Sequence, residues 1–235
     1  MIQTRMLLGA IAAAGLACGA SAASIGVSFA GDNGGGTSVQ ITSAQTAGVV
    51  AQSNWNAGTG AAGAASDLND DSGAGTTADV SWTSANTWGG TGATTDDEAM
   101  MNGWLDDGAL SITVTEIPYA VYDVYVYGSA DAGNEGGALN TIVNGTTFTS
   151  GGTFTTLSGN GSFFDGSNYV DGGTAAADPS YHLVSGLSGD LVITGQRDGG
   201  NRFGVAGFQI VEVPEPGSLA LLGLGGLAVL RRRRG

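Results

Sequence analysis

The sequence predicts an all-β fold, an antiparallel β-sandwich of jelly-roll type with long glycine-rich loops and one short helix. Short segments in which apolar and polar residues alternate recur through the middle of the chain, and turn-forming residues separate them. The 43 glycines of the 235 residues could indicate disorder, but tryptophan, tyrosine and phenylalanine recur at spaced positions. Repeated short strands with almost no helix are typical of sandwiches.

The first half of this region predicts three strand segments. Apolar residues alternate with small polar ones over 25–29, and 39–41 continues the pattern after a glycine-rich turn. A Gly/Ala-rich loop is expected from 54 to 78, which is long for a compact domain. Alternation returns over 80–83 and predicts another strand.

One short helix is predicted after Thr95. Thr95 can cap the backbone amide of Glu98, while the Glu98 side chain reaches back to Thr95, and this reciprocal arrangement is a capping box. Acidic residues suit the positive end of a helix, and Asn102-Gly103 provides a stop. We expect about two turns that pack Met100, Met101 or Trp104 against a sheet.

The second half predicts the stronger strands. Alternation is clean over 110–114, and 120–127 is apolar on both faces, which indicates a strand in the centre of its sheet. Asn144-Gly145, between two apolar runs, predicts a tight hairpin. Further strands are expected at 181–184, 191–194 and 205–213.

The N-terminus has the pattern of a signal peptide over residues 1–22. Arg5 precedes an apolar run at 6–17, and Ala20-Ser21-Ala22 has the small residues of a cleavage site, so we expect a cut after Ala22. Cys18 follows a segment that resembles a lipoprotein signal, but Gly15 stands where a large aliphatic residue is usual. Ordinary cleavage is therefore favoured, and it would leave a mature protein without cysteine.

The C-terminus has a second targeting signal, which we assign to residues 213–235. It contains Pro214, Glu215 and Pro216, an apolar run at 217–230, and then Arg231, Arg232, Arg233 and Arg234. The apolar run would span roughly 21 Å as a helix, less than the roughly 30 Å hydrocarbon core. Arginines beside a membrane segment stay in the cytoplasm, so everything between the two apolar runs would be translocated.

This ordered three-part tail resembles the PEP-CTERM sorting signal of exported bacterial proteins. The resemblance implies that an exosortase, a membrane-embedded cysteine protease, cuts near Pro214-Glu215-Pro216 and releases or transfers the body. The body, taken as residues 23–212, would then have only transient inner-membrane association. Its expected location is the cell envelope, the outer surface or the extracellular matrix.

The charge of the body restricts its partners. It contains two arginines against twenty acidic residues, a formal net charge of −18. Such a surface has no cationic patch for a phosphate backbone, so no nucleic-acid partner is expected. The acids instead favour divalent cations.

A structural calcium ion is therefore one expected cofactor. Asp67, Asn69 and Asp71 place oxygen side chains at alternate positions, as at the start of an EF-hand loop, but Ser72 replaces the turn glycine and Ala78 the bidentate glutamate. A calcium site built from several loops stays open. Its further candidate donors are Asp32, Asp131, Glu135 and Asp198.

The strand pattern suggests a second kind of ligand. The segments at 118–127, 143–146 and 200–210 resemble galactose-binding-like jelly rolls, a fold that many extracellular carbohydrate-binding modules adopt. Aromatic rings can stack on sugars or pack in the core. The candidates for glycan binding are Trp55, Trp88, Tyr125 and Tyr127.

Catalysis has weak support. His182 is the only histidine, no Gly-x-Ser-x-Gly elbow is present, and a surface or edge position is expected for it. Adjacent acids at 70–71, 96–97 and 106–107 could serve glycoside hydrolysis only if they faced each other across a cleft. We therefore expect no enzyme but an exported surface or matrix protein. The alternatives are a carbohydrate-binding module with a defined sugar site and, less favoured, a weak glycoside hydrolase.

Overall fold

The computed structural model describes nine ranges of the chain: 22–31, 39–90, 92–106, 109–129, 140–149, 157–158, 161–162, 180–196 and 204–214. Their strands are β1 Ser24–Ala30, β2 Asn56–Thr59, β3 Ala62–Ala65, β4 Asp79–Thr83, β5 Asn86–Gly89, β6 Gly103–Asp106, β7 Leu110–Thr115, β8 Tyr122–Ser129, β9 Asn140–Val143, β10 Thr146–Thr149, β11 Leu157–Ser158, β12 Gly161–Ser162, β13 Tyr181–Leu187, β14 Leu191–Gln196 and β15 Gly204–Glu212. Helix α1 spans Asp96–Met101.

The strands form the two sheets of a β-sandwich, as the sequence predicts, except that β11 and β12 pair only with each other. Sheet I has the order β13-β8-β15-β1-β2, and β6 also pairs with β15 and with β5. Sheet II has the order β10-β9-β14-β7-β4-β3. From β6 to β9 and from β13 to β15, the chain changes sheets at each connection. Such crossings are typical of a jelly roll.

The pairing is antiparallel throughout the described ladders except between β1 and β2, where Val27 lies opposite Asn56 in a parallel register. β2 and β3 follow one another closely, and they form one edge of sheet I and one edge of sheet II. Their sequences are Asn-Ala-Gly-Thr and Ala-Gly-Ala-Ala, without an alternating apolar signal. The predicted loop at 54–78 therefore contains two strands.

The main core lies between the two sheets. Alternate residues of β1, β8 and β15 face alternate residues of β4, β7 and β14, as in other sandwiches. Phe29 of sheet I meets Trp82 of sheet II edge to face, with ring centroids 5.5 Å apart. This packing of aromatic rings ties the two sheets together.

Sheet I is also covered on its outer face, by helix α1 and the segment 39–55. A second cluster forms there from Ile41, Ala47, Trp55, Ala99, Met100, Met101, Trp104, Tyr127 and Ala206. β1 and β15 are consequently buried on both faces, and so is most of β8. This confirms the central position expected for 120–127.

The predicted helix and hairpin are confirmed. The Thr95 side chain accepts a hydrogen bond from Glu98 N at 3.1 Å, and Glu98 Oε2 accepts one from Thr95 N at 3.2 Å. Asn144 and Gly145 both have positive φ, 46° and 80°, as the favoured hairpin turn requires.

Two further details differ from the sequence predictions. Residues 39–41 are not a strand, and Ile41 instead packs into the outer cluster. β5 and β6 form an unexpected ladder in which Trp88 lies opposite Trp104. The apolar run at 217–230 lies outside the described residues, so its membrane segment stays a prediction; within the described ranges, the structure contains no helix that could span a membrane.

Candidate functional site

The two ends of the body lie side by side at one pole of the sandwich. Glu212, the last residue of β15, donates its backbone N–H to the carbonyl oxygen of Ala23 over 2.9 Å. Val213 donates to the carbonyl oxygen of Val121 at 2.9 Å, so the chain stays paired until one residue before Pro214. We call this end of the sandwich the terminal pole.

The loop that carries Asp71 holds the start of β1 at the terminal pole. Asp71 N donates to Ser24 O at 2.8 Å, and Ser24 N donates to Asp71 Oδ1 at 3.1 Å. The side-chain amide of Asn54 donates to Asp71 O at 2.9 Å, which ties the same loop to the segment before β2. The first residues of the body are thus fixed by a segment almost fifty residues further along the chain.

The terminal pole is strongly acidic. The segments that meet there carry Asp67, Asp70, Asp71, Asp79, Glu116, Asp123, Asp190 and Glu212. Burial tends to raise the pKa of the Asp70 carboxyl. However, hydrogen bonds from Ser72 and from the Ala74 amide more than offset that tendency, and the pKa is lowered. Asp70 therefore holds its own turn in place as a carboxylate.

Tyr119 lies beneath this acidic rim and is only 8% exposed. Its hydroxyl oxygen is buried and has no hydrogen-bond partner within the described structure. Burial raises the pKa of this hydroxyl well above its ordinary value, and the nearby charges of Asp70, Asp71 and Glu212 raise it further. At the terminal pole, a buried hydroxyl oxygen thus lies close to several negative charges.

Comparison with known protein families identifies the segment that leaves this pole. Residues 212–234 match the model of the PEP-CTERM protein-sorting motif. The chain carries a PEP-CTERM sorting motif. This motif marks proteins that are exported, anchored transiently in the membrane and processed there by an exosortase before release to the cell surface. No curated protein and no solved structure matches the chain.

The PEP-CTERM motif starts without a linker. The matched region begins at Glu212, which is still part of β15, and Pro214 is exposed two residues later. Glu215, Pro216 and the arginines at 231–234 lie outside the described residues. At the other end, Ala22 opens the described region and is partly buried, while Ala20 lies outside it.

Asp71 and Asn69, two of the three predicted calcium ligands, form hydrogen bonds with neighbouring segments. Asp67, Asn69 and Asp71 lie on one loop, but Asp71 Oδ1 accepts from Ser24 N, and the backbone of Asn69 bonds to the Asn56 side chain. Within the described ranges, no three acidic, histidine or cysteine side chains are grouped as a metal site. Asp32, Asp131, Glu135 and Asp198 lie outside the described residues. The calcium site stays a prediction.

The assignment of Trp55 and Tyr127 to glycan binding requires correction. Trp55 is 5% exposed and Tyr127 is fully buried, because the segment 39–55 covers Tyr127 and directs its own Trp55 ring against it. The indole of Trp55 donates to Gln52 O at 3.0 Å, and the Tyr127 hydroxyl donates to Gln209 Oε1 at 2.8 Å. Neither ring has a face available for a sugar.

Trp88 and Tyr125 stay partly exposed beside the outer cluster of sheet I. Tyr125 packs on Tyr181 with ring centroids 5.7 Å apart, whereas Trp88 lies opposite Trp104 in the β5–β6 ladder. Their role in glycan binding stays a prediction.

The outer face of sheet II offers a different surface. It has a shallow depression of about 320 Å³ lined by uncharged residues: Ala62, Gly63, Ser81, Trp82, Thr83, Ser111 and Thr113. Ser81 lies opposite Thr113, and Thr83 lies opposite Ser111, so their hydroxyls form two rows across β4 and β7. Sequence reasoning missed this face because it assigned these residues only as the polar side of strands.

The histidine and one pair of acids that were considered for catalysis are buried in the sheet or hydrogen-bonded to the covering segment. His182 is on the edge strand β13 as expected, but it is 1% exposed and lies opposite Val126 on the core side of the sheet, which corrects the expected surface position. The Asp96 carboxylate accepts hydrogen bonds from the Gln45 side chain and the Thr46 amide. The Asp97 carboxylate accepts one from the Gly48 amide. These two carboxylates hold the covering segment 39–55 in place.

Proposed function

We propose that the sandwich is a noncatalytic structural domain of the cell surface or extracellular matrix, held at the membrane by its terminal pole until an exosortase-type protease cuts the tail. The hydrogen bond between Glu212 N and Ala23 O carries this proposal. It joins Ala23, the residue that would follow the expected signal-peptide cut, to Glu212, where the PEP-CTERM match begins. Both processing sites would then lie at the same end of one folded unit.

The spacing supports a body that lies against the bilayer. Gly217, the first residue of the apolar run, follows Glu212, the last residue of β15, by five positions. An extended chain of that length spans at most about 18 Å. Until the tail is cut, the terminal pole therefore faces the membrane surface, and the rest of the sandwich points outward.

A structural role also agrees with the use of the acidic side chains. Asp71, Asp96 and Asp97 each accept hydrogen bonds that join separate segments of the fold, and Asp70 accepts hydrogen bonds within its own turn. A hydrolase would need a pair of carboxylates directed into a cleft, with one of them protonated near neutral pH. The adjacent acids at 70–71 and 96–97 are engaged in these hydrogen bonds instead.

The test uses the native host and an epitope inserted after Gly92, in the exposed loop before helix α1. Glu215→Ala should leave the full tail attached and the protein in the membrane fraction, whereas wild type is released with a shortened C-terminus. Glu116→Ala removes an acid from the same pole without touching the motif, so it should be processed like wild type. Intact-mass measurement of the released form fixes both ends of the chain. Normal release of Glu215→Ala, or a full-length folded protein in the cytosol, would overturn the proposal.

A second candidate function, sugar binding, is favoured by the uncharged depression on sheet II. Hydroxyl rows suit the many hydroxyls of a neutral polysaccharide. A glycan array tests it with two variants. Thr113→Val should abolish saturable binding if the depression is the site, whereas Trp88→Ala should abolish it if the aromatic residues beside sheet I are the site. Binding to no glycan would remove this candidate.

A further inference from the structure

The structure fixes the position of Ala23 before any cut is made. Its carbonyl oxygen accepts from Glu212 N, and the next residue, Ser24, exchanges two hydrogen bonds with Asp71. Ala23 also packs against the core cluster that contains Tyr119. A charge created on the nitrogen of Ala23 would therefore stay at the terminal pole.

Cleavage after Ala22 changes the chemistry of that nitrogen. In the precursor it is a neutral amide with one N–H group. Hydrolysis of the Ala22–Ala23 bond adds water across it, and the freed amine is protonated at neutral pH because its ordinary pKa is about 7.7–8.0. The nitrogen then carries a positive charge and three donors, like the ammonium of lysine.

The terminal pole has the matching acceptors. Tyr119 supplies a buried hydroxyl oxygen without a partner in the described structure, and Asp71 and Glu212 supply negative charge on the two segments bonded to Ser24 and Ala23. Hydrogen bonds in which one partner is charged are about twice as strong as neutral ones. No cationic side chain lies within the described residues of this pole to compete.

We propose that the α-ammonium group of Ala23, once freed, binds Tyr119, Asp71 and Glu212 at the terminal pole and holds β1 against the end of β15. The inference rests on the proposed export of the protein, because only the cut after Ala22 creates this group. The site takes a primary ammonium ion that the chain itself supplies. Signal-peptide removal would thus stabilise the fold in addition to releasing one membrane tether.

The composition allows a sharp test, because the sequence contains no lysine. In a chain that begins at Ala23, the α-amine is the one primary amine, so an acylating reagent modifies that group alone. We would prepare this chain with its C-terminal segment in detergent, as the free amine and as the N-acetyl form. Denaturant unfolding of both forms measures the effect of the charge at constant sequence.

The free amine should lower the unfolding equilibrium constant by about tenfold relative to the acetyl form, as expected for charge-assisted bonds at a partly exposed site. Glu212→Gln and Tyr119→Phe should each reduce this ratio toward one. Glu116→Gln removes one negative charge from the same pole and should leave the ratio near its wild-type value. Tyr119→Phe is conservative, so it keeps the test valid if Glu212→Gln does not fold.

Two results would overturn the inference: equal stability of the free and acetylated forms, or a ratio that Glu212→Gln and Tyr119→Phe leave unchanged. Both are independent of the host, because the N-terminus is made in vitro. N-terminal sequencing of the exported protein tests the cut after Ala22 separately. A different natural N-terminus with a large ratio in vitro would reject the processing scheme but not the ammonium site.

Discussion

The Tyr127 hydroxyl and the Gln209 side chain meet beneath the segment that covers sheet I, with 2.8 Å between Tyr127 Oη and Gln209 Oε1. The same hydroxyl accepts from Val49 N at 2.9 Å, and Gln209 Nε2 donates to Gln52 Oε1 at 2.8 Å. Burial strongly raises the pKa of Tyr127. This buried polar network joins β8, β15 and the covering segment.

Tyr127→Phe should therefore destabilise the fold by about 1–3 kcal/mol, because it removes the partner of the partly buried Val49 amide and of the buried side-chain oxygen of Gln209. Denaturant unfolding measures the loss. Ser81→Ala removes an exposed hydroxyl from sheet II and should change stability by less than about 0.5 kcal/mol. Equal effects of the two variants would contradict the role of the network.

Gly207→Ala should strongly destabilise the junction of β1 with β15. A Cβ at this position would overlap the carbonyl oxygen of Val27, which belongs to the backbone and cannot move aside. Overpacking of a filled site costs about 1–3 kcal/mol or more. Gly92→Ala is the matched control, since a Cβ there meets nothing within 4 Å. Thermal unfolding of both variants checks the prediction, which fails if Gly207→Ala is as stable as the control.

Thr95→Ala should destabilise helix α1 by about 1 kcal/mol, because the amide of Glu98 loses its cap. Thr95→Ser keeps the hydroxyl and should restore most of the stability. Hydrogen exchange of the α1 and 42–50 amides gives a local measurement, since the helix acids bind that segment. Unchanged exchange in Thr95→Ala would exclude a role for the capping box in stability.

Lowering the pH should weaken the attachment of the segment around Thr46 to helix α1. Hydrogen bonds from the Thr46 amide and the Gln45 side chain lower the pKa of Asp96 below its ordinary value in the folded state. The stability that Asp96 contributes is therefore fully present above its unfolded pKa, near 3.9, and is lost as pH falls through the lower folded value. Carboxyl titration by NMR should give a depressed pKa for Asp96. Asp96→Asn should show less loss of stability on acidification than wild type, and an identical loss would contradict this prediction.

Local patterns in the sequence were sufficient for several elements. The capping box at Thr95, the turn at Asn144-Gly145 and the doubly apolar strand at 120–127 depend on residues close together in the chain, so they could be predicted and are confirmed. The PEP-CTERM motif is also a local signal, and the family comparison finds it at 212–234. The sequence by itself thus determined the fold class and the sorting route.

Only the tertiary structure decided which surfaces are accessible and which distant residues meet. Trp55 and Tyr127 are buried because the segment 39–55 forms a third layer on the outer face of sheet I. Alternation along a strand does not reveal what covers the outer face of its sheet. Ala23 and Glu212 are 189 positions apart in the chain, yet a backbone hydrogen bond joins them. Pairing between such distant segments depends on the whole arrangement of sheets, so no local pattern could locate the terminal pole.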